Sequence, residues 1–346
     1  MGAVLGLAAL LFALGWVFGV SLRARLAVLA AIWVAVVALQ LLLPDGAPLR
    51  VATGGDARPW LVLAMLGLAV WGYRTILQAL RRRARPPETA MPEARKPLFS
   101  EAELNRYARH MMLREVGGPG QRKLKEARVL VIGAGGLGSP ALLYLAAAGV
   151  GTIGVIDDDI VEASNLQRQV IHTDARIGTP KVFSAQAQMV ALNPFVTVKP
   201  YHRRLTEPDA EALFAEYDLI LDGTDNFDTR YLANRVAARL EKPLIAAAIT
   251  QWEGQIALYD PARGGPCYEC VFPTRPAPGL VPSCAEAGVI APLPGVLGAM
   301  MALEAVKLLT GAGEPLRGAM LIYDGLYAET RRIGIRPRAD CAVCHG

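Results

Sequence analysis

Three groups of residues in this sequence have the types and spacing to do chemistry. The first is the turn Gly133, Ala134, Gly135, Gly136, Leu137, Gly138, set between an apolar run at 128–132 and an alanine-rich stretch at 139–148. Glycines at a strand-to-helix turn let the backbone approach a phosphate, and the helix start offers free N–H groups and a positive dipole end. A second apolar run, 152–156, leads into Asp157, 19 residues past Gly138. That is the usual place for a carboxylate that holds a ribose hydroxyl. This pattern implies a nucleotide site, and it suits a nicotinamide-dinucleotide oxidoreductase as well as any other nucleotide enzyme.

The second group narrows the choice. Asn165, Leu166, Gln167, Arg168 and Gln169 follow close on Asp157. A dehydrogenase has no use for an arginine there, whereas an enzyme handling a triphosphate can clamp phosphate oxygens with a guanidinium. Lys181 opens a helical stretch at 181–193 after the breaker Gly178-Thr179-Pro180. An apolar strand at 218–221 runs into Asp222, Gly223, Thr224, Asp225 and Asn226. Carboxylates past the carboxyl end of a parallel strand lie in the ligand crevice of an open α/β sheet. Mg²⁺ takes one or two carboxylates plus phosphate oxygens, which suits Asp225. Asp228 is expected to cap the following helix, 229–240, leaving Asp225 and Asn226 free.

The third group is cysteine. Cys267 and Cys270 form one CxxC pair, Cys341 and Cys344 another, with 70 residues between them. Four thiolates suit a closed tetrahedral Zn²⁺ site, and this spacing would staple the C-terminal tail to the body. A redox CxxC is the rival, but such motifs come singly. Cys284 is left over, in a stretch rich in proline and glycine.

Taken as a set, GAGGLGS, NLQRQ, GTPK, DGTDN and RYARHMML resemble the MoeB/ThiF/HesA family of ubiquitin-activating-type adenylyltransferases. The resemblance runs from about Ser100 to Gly346. It implies ATP binding by Gly136, Asp157, Ser164, Asn165, Leu166, Gln167, Arg168, Lys181, Asp225 and Asn226, with Mg²⁺ at Asp225. It implies a homodimer in which Arg109 reaches into the partner's ATP site, although residue type alone makes that helix a solvated amphipathic one. It also implies that Cys284 can form a covalent link to the activated carrier; a small buried hydrophobe is the equal alternative. The implied reaction is adenylation of the C-terminal glycine of a small ubiquitin-like sulfur carrier ending in Gly-Gly. The molybdopterin-synthase small subunit is the first choice of carrier and the thiamine-pathway carrier the second. A scaffold that binds the carrier without catalysis is disfavoured by the intact Arg168, Lys181 and Asp225.

The front of the chain departs from that family. Residues 1–22 and 26–44 carry no charge, and 59–73 is a third apolar run, extendable to 80. Three membrane-spanning helices are expected within residues 1–80. Trp60 and Trp71 suit interfacial positions. Arg23 and Arg25 lie between the first two runs, and Arg81, Arg82, Arg83 and Arg85 follow the third. The positive-inside rule then places the N-terminus outside and the remainder in the cytoplasm, anchored to the inner membrane. Residues 81–99, with four prolines, read as a linker to a catalytic domain at 100–346.

Charge follows this division. Residues 1–100 hold 11 Lys and Arg against 4 Asp and Glu, while 101–346 hold 25 against 27. The net +5 belongs to the front, so it gives no support for nucleic-acid binding. Alternation of strands and helices in the body predicts a doubly wound, Rossmann-like α/β sheet. Alternating residues at 255–259 predict an antiparallel extension.

Overall fold

The computed structural model describes residues 2–84, 98–276 and 287–345. They belong to two units, 1–96 and 97–346.

The first unit is helical: α1 (Gly2–Val17), α2 (Leu22–Leu42), α3 (Pro48–Ala52) and α4 (Arg58–Ala84). Helix α2 and the Arg58–Leu80 part of α4 are long and apolar enough to cross a membrane; α1 is shorter. At 1.5 Å per residue, α2 spans about 30 Å. The turn between α2 and α4 folds back on the helix ends. Gln40 is buried and donates to Arg50 O at 2.9 Å and to Thr53 Oγ1 at 2.7 Å. Trp60 donates to Thr53 O at 3.1 Å, and Trp33 donates to Trp60 O at 3.1 Å. Trp60 is therefore tucked inside this unit, while Trp71 is exposed.

The second unit begins with α5 (Glu101–Met111) and α6 (Gly117–Glu126). Ser100 and Glu103 form a capping box at the start of α5. Then follow β1 (Arg128–Ile132), α7 (Gly138–Ala148), β2 (Thr152–Ile156), α8 (Lys181–Leu192), β3 (Thr197–Tyr201), α9 (Glu207–Ala215) and β4 (Leu219–Asp222). The chain continues through α10 (Phe227–Arg239), β5 (Leu244–Thr250), β6 (Glu253–Tyr259), α11 (Tyr268–Val271), α12 (Pro292–Thr310), β7 (Ala319–Asp324) and β8 (Glu329–Gly334).

The eight strands form one sheet in the order β3-β2-β1-β4-β5-β6-β7-β8. Neighbours from β3 to β5 are parallel, and those from β5 to β8 antiparallel. This is the doubly wound sheet with antiparallel extension that the sequence implied. Strand β1 shows why it forms. Val129 and Val131 enter the core on one face, Leu130 and Ile132 the core on the other, all essentially inaccessible. Each such side chain contributes roughly 1.5–3 kcal/mol. A strand covered on both faces must be apolar throughout, which favours a central parallel position.

Helix α12 is also long and apolar enough to cross a membrane, but half of it is buried within this unit. It packs against the glycine turn: a side chain at Gly298 would sit 2.3 Å from Leu137 O. Its Glu304 and Lys307, one turn apart, pair at 2.6 Å.

The sheet order reverses between β1 and β4. From β1 the chain winds outward through β2 to β3, then returns to β4 on the other side. Ligands of open α/β sheets bind at such a switch point, beyond the carboxyl ends of the strands.

Candidate active site

Two loops meet at that switch point. Gly133, at the end of β1, has φ +93°, in the left-handed region that favours glycine. A side chain on it would stand 3.3 Å from Gly223 O, at the end of β4. Gly223 N–H donates to Ile132 O at 3.0 Å. A side chain at Gly138 would overlap Gly133 O at 1.9 Å, so the turn closes only with glycine at both places. Gly136 faces protein: a side chain there would meet Pro294 at 3.0 Å and Arg168 Cγ at 3.7 Å. Its lack of a side chain lets α12 and the Arg168 segment close on the turn.

Asp157 lies at the end of β2, as expected. Its Oδ2 accepts from Ala134 N at 2.7 Å and its Oδ1 from Asp159 N at 2.8 Å. Burial pushes its carboxyl above the ordinary aspartate value, opposed by nearby Lys181 and by both N–H donors. Lys181, the first residue of α8, is almost fully buried, and its Nζ pairs with Asp159 at 2.7 Å. Asp159 was not among the sequence-derived candidates; two exposed carboxylates beside Asp157 gave no reason to select it.

The segment after Asp157 is a 3₁₀ turn, Ala163–Asn165, not a regular helix. Arg168 donates to Asn165 Oδ1 at 3.1 Å and to Ser164 O at 3.4 Å. Ser164 and Asn165 both donate to Glu162, at 3.4 Å. Leu166 is half-buried and Gln167 exposed. Arg168 is thus held in place by its own segment, beside the glycine turn.

The β4 loop differs from expectation in one respect. Asn226, not Asp228, caps α10: its Oδ1 accepts from Thr229 N at 2.8 Å. Asp228 instead pairs with Arg275. Asn226 lies at the last non-helical position, where a side-chain oxygen reaches the third helical N–H; Asp228 is already inside the first turn. Asp225 is exposed, and its carboxylate has no partner among the described residues. The loop is fixed from below. The buried Asp222 accepts from Thr224 N at 2.9 Å and from its hydroxyl at 2.6 Å. Arg230 donates to Thr224 O at 2.5 Å and to Ala247 O at 2.9 Å.

Arg109 is not drawn into these loops. It is exposed on α5, and its side chain has no partner among the described residues. The helix itself is anchored by Arg106, which donates to Leu192 O at 2.8 Å, and by the buried Tyr107, whose hydroxyl accepts from Asn193 at 2.8 Å. Cys284 lies outside the described residues.

The four paired cysteines converge. Their sulfurs all lie within 4.8 Å of one another. Cys267 is 3.8 Å from Cys270 and 3.6 Å from Cys341; Cys270 is 3.4 Å from Cys344. Tetrahedral sulfurs at about 2.3 Å from Zn²⁺ stand about 3.8 Å apart, so the donor set and spacing fit that ion. The CxxC backbone is tied to α10, with Tyr268 N donating to Asn234 Oδ1 at 2.7 Å.

Residues 107–343 match the ThiF family. The chain is 50% identical over 250 residues to the sulfur carrier protein adenylyltransferase of Thermus thermophilus, covering 71% of this chain and 92% of that protein. It is 48% identical over 242 residues to the SAMP-activating enzyme E1 of Haloferax volcanii, covering 70% and 89%. It is 49% identical over 253 residues to the probable adenylyltransferase/sulfurtransferase MoeZ of Mycobacterium tuberculosis, covering 72% of this chain but only 64% of MoeZ. Among solved structures, E. coli MccB with MccA-N7isoASN superposes with a TM-score of 0.63 at 24% identity, over 70% of this chain and 75% of that one; this likeness concerns the fold alone. A family match that spans both loops of the switch point and runs on past Cys341 settles the affiliation: the chain belongs to the ThiF family.

Proposed function

We propose that this protein is an adenylyltransferase that uses ATP to activate the C-terminal glycine of a small ubiquitin-like sulfur-carrier protein. The observation that carries this reading is the closure of the Arg168 segment on the glycine turn, in a chain 50% identical to a sulfur carrier protein adenylyltransferase. A hydride-transfer site needs no guanidinium beside that turn. Between the two carriers weighed above, the molybdopterin-synthase small subunit remains the first proposal and the thiamine-pathway carrier the second.

The chemistry follows from the side chains. The carrier's terminal carboxylate is already ionised, so no general base is required. Its oxygen attacks the α-phosphorus and forms a new P–O bond. The bond from that phosphorus to the bridging oxygen breaks, and pyrophosphate leaves with the electron pair. In this reading Asp157 holds the ribose, and Arg168 and Lys181 hold the phosphates. Bound Mg²⁺ would neutralise phosphate charge, with Asp225 its protein ligand. The chain's task is positioning and charge neutralisation. Mg²⁺-dependent exchange of label between pyrophosphate and ATP, appearing only with a carrier ending in Gly-Gly, is the expected result. Tight binding of a nicotinamide dinucleotide without exchange would end this reading.

Further parts of the proposal rest on sequence and exposure. The exposed Arg109, with Met112 and Leu113 exposed beside it, suits a homodimer in which that arginine completes the partner's site. An Arg109→Ala chain mixed with an Arg168→Ala chain should then recover activity that neither has alone, because each heterodimer keeps one intact site. Persistent inactivity in confirmed heterodimers would exclude the trans arrangement. Apolar α2 and α4 support a membrane anchor at the inner membrane, with the catalytic unit in the cytoplasm. Cys284 is proposed as an acceptor for the activated carrier, a step after adenylation.

A further inference from the structure

His172 is one of four histidines in the chain and was not singled out from the sequence. It is 6% exposed. One ring nitrogen, Nε2, lies 2.9 Å from Ala134 O; the other, Nδ1, lies 2.9 Å from Ser184 Oγ. A carbonyl oxygen only accepts, so Nε2 carries the hydrogen. In the neutral ring Nδ1 then accepts from the Ser184 hydroxyl. Burial pushes the ring below the ordinary imidazole value, and the charges of Lys181 and Arg176 add to this.

The two partners belong to separate parts of the site. Ala134 is in the glycine turn, and the N–H of the same residue holds Asp157 at 2.7 Å. Ser184 is on α8, three residues after Lys181, and its own carbonyl accepts from Arg176 at 2.9 Å. His172 itself ends the segment that carries Asn165 and Arg168. Its backbone N–H donates to Gln169 O at 3.0 Å.

We infer that His172 is a positioning residue that ties the glycine turn, the Arg168 segment and the Lys181 helix into one ATP-binding frame. The inference rests on the ATP reading above. The decisive bond is Nε2–H to Ala134 O, because it fixes the peptide adjoining the residue that orients Asp157. Losing it would let the turn and the phosphate clamp drift apart, with no change in any group that touches the nucleotide. Such a residue acts on ATP affinity more than on general stability.

The test uses the full chain and measures ATP binding by calorimetry alongside a thermal melt. Glutamine places an N–H near the Nε2 position, and asparagine reaches only the Nδ1 position. His172→Gln should stay within about threefold of native affinity, the scale of a retained but imperfect bond. His172→Asn should weaken ATP about tenfold, while the two melts fall alike. Ser184→Ala approaches the ring from α8 and should weaken ATP about threefold. Equal ATP binding by the Gln and Asn variants would overturn the inference. Where His172→Asn does not fold, native affinity in Ser184→Ala would overturn it instead. Native protein that binds no ATP would end the nucleotide reading itself.

Discussion

Asp225→Ala is expected to lose about 100-fold or more of the pyrophosphate–ATP exchange rate, the scale seen when one stabiliser of transition-state charge is removed. The structure makes this variant interpretable. Asp225 is exposed, and its carboxylate has no partner among the described residues, so its loss should leave the melting temperature unchanged. Its neighbours do not share that property. Asp222 is wholly buried and holds Thr224. Asn226 caps α10, and its replacement by Ala should cost about 1 kcal/mol of stability. A large fall in exchange at Asp225 with an unchanged melt therefore isolates chemistry from folding. Arg168→Ala should lose exchange similarly, because among the described residues its guanidinium is bonded only within its own segment. A rate within a few-fold of native for Asp225→Ala would remove this carboxylate from the mechanism.

How much of this site was legible before the fold was known differs from residue to residue, for physical reasons. The strand–turn–helix about Gly133 was legible because it depends on local chemistry: apolar runs, positive φ at glycine, and an alanine-rich helix. The paired cysteines were legible because their spacing allows few other uses. Helix α6 was not anticipated. Its sequence opens Gly117-Gly118-Pro119-Gly120, which local propensity disfavours for a helix. Tertiary bonds hold it: Gln121 donates to Ala148 O at 2.8 Å and Lys123 to Thr310 O at 2.9 Å.

The cap on α10 is ambiguous in sequence because both Asp228 and Asn226 are good capping types, and the choice turns on where the helix begins. That start moved two residues upstream, to Phe227. A glycine at 136 suits close approach of a phosphate, yet the side chains nearest to it belong to α12 and Arg168, which only tertiary packing brings there. His172 and Asp159 were hidden for the same reason. Their partners are 38 and 22 residues away along the chain.

Elemental analysis of the purified protein is expected to find about one Zn²⁺ per chain. The four sulfurs converge within 4.8 Å of one another, a donor set and spacing that fit the ion, whereas without a cation they would not all ionise. Cys267, Cys270 and Cys341 are buried, and Cys344 is half-buried. Burial pushes the Cys267 thiol far above its ordinary range, and the nearby Cys270 and Cys344 push it the same way. Four sulfurs this close ionise together only if a cation offsets their repulsion. The ion would close a long loop, since Cys341 and Cys344 follow β8 while Cys267 immediately precedes the short α11 and Cys270 lies within it. Bonds from that region run to α10: Asn234 to Tyr268 and Glu269, and Tyr231 to Phe272 O at 2.8 Å. Cys341→Ser, which leaves three thiolates, should lose the zinc and lower the melting temperature markedly. Structural zinc sites contribute on the order of 10 kcal/mol to the folded state in small domains, and less where a larger core already holds the chain, as here. Limited proteolysis should then cut after β8 in the variant and not in the native protein. A redox pair would behave differently. Oxidation would remove two thiols reversibly, no zinc would be found, and Cys341→Ser would melt with the native protein.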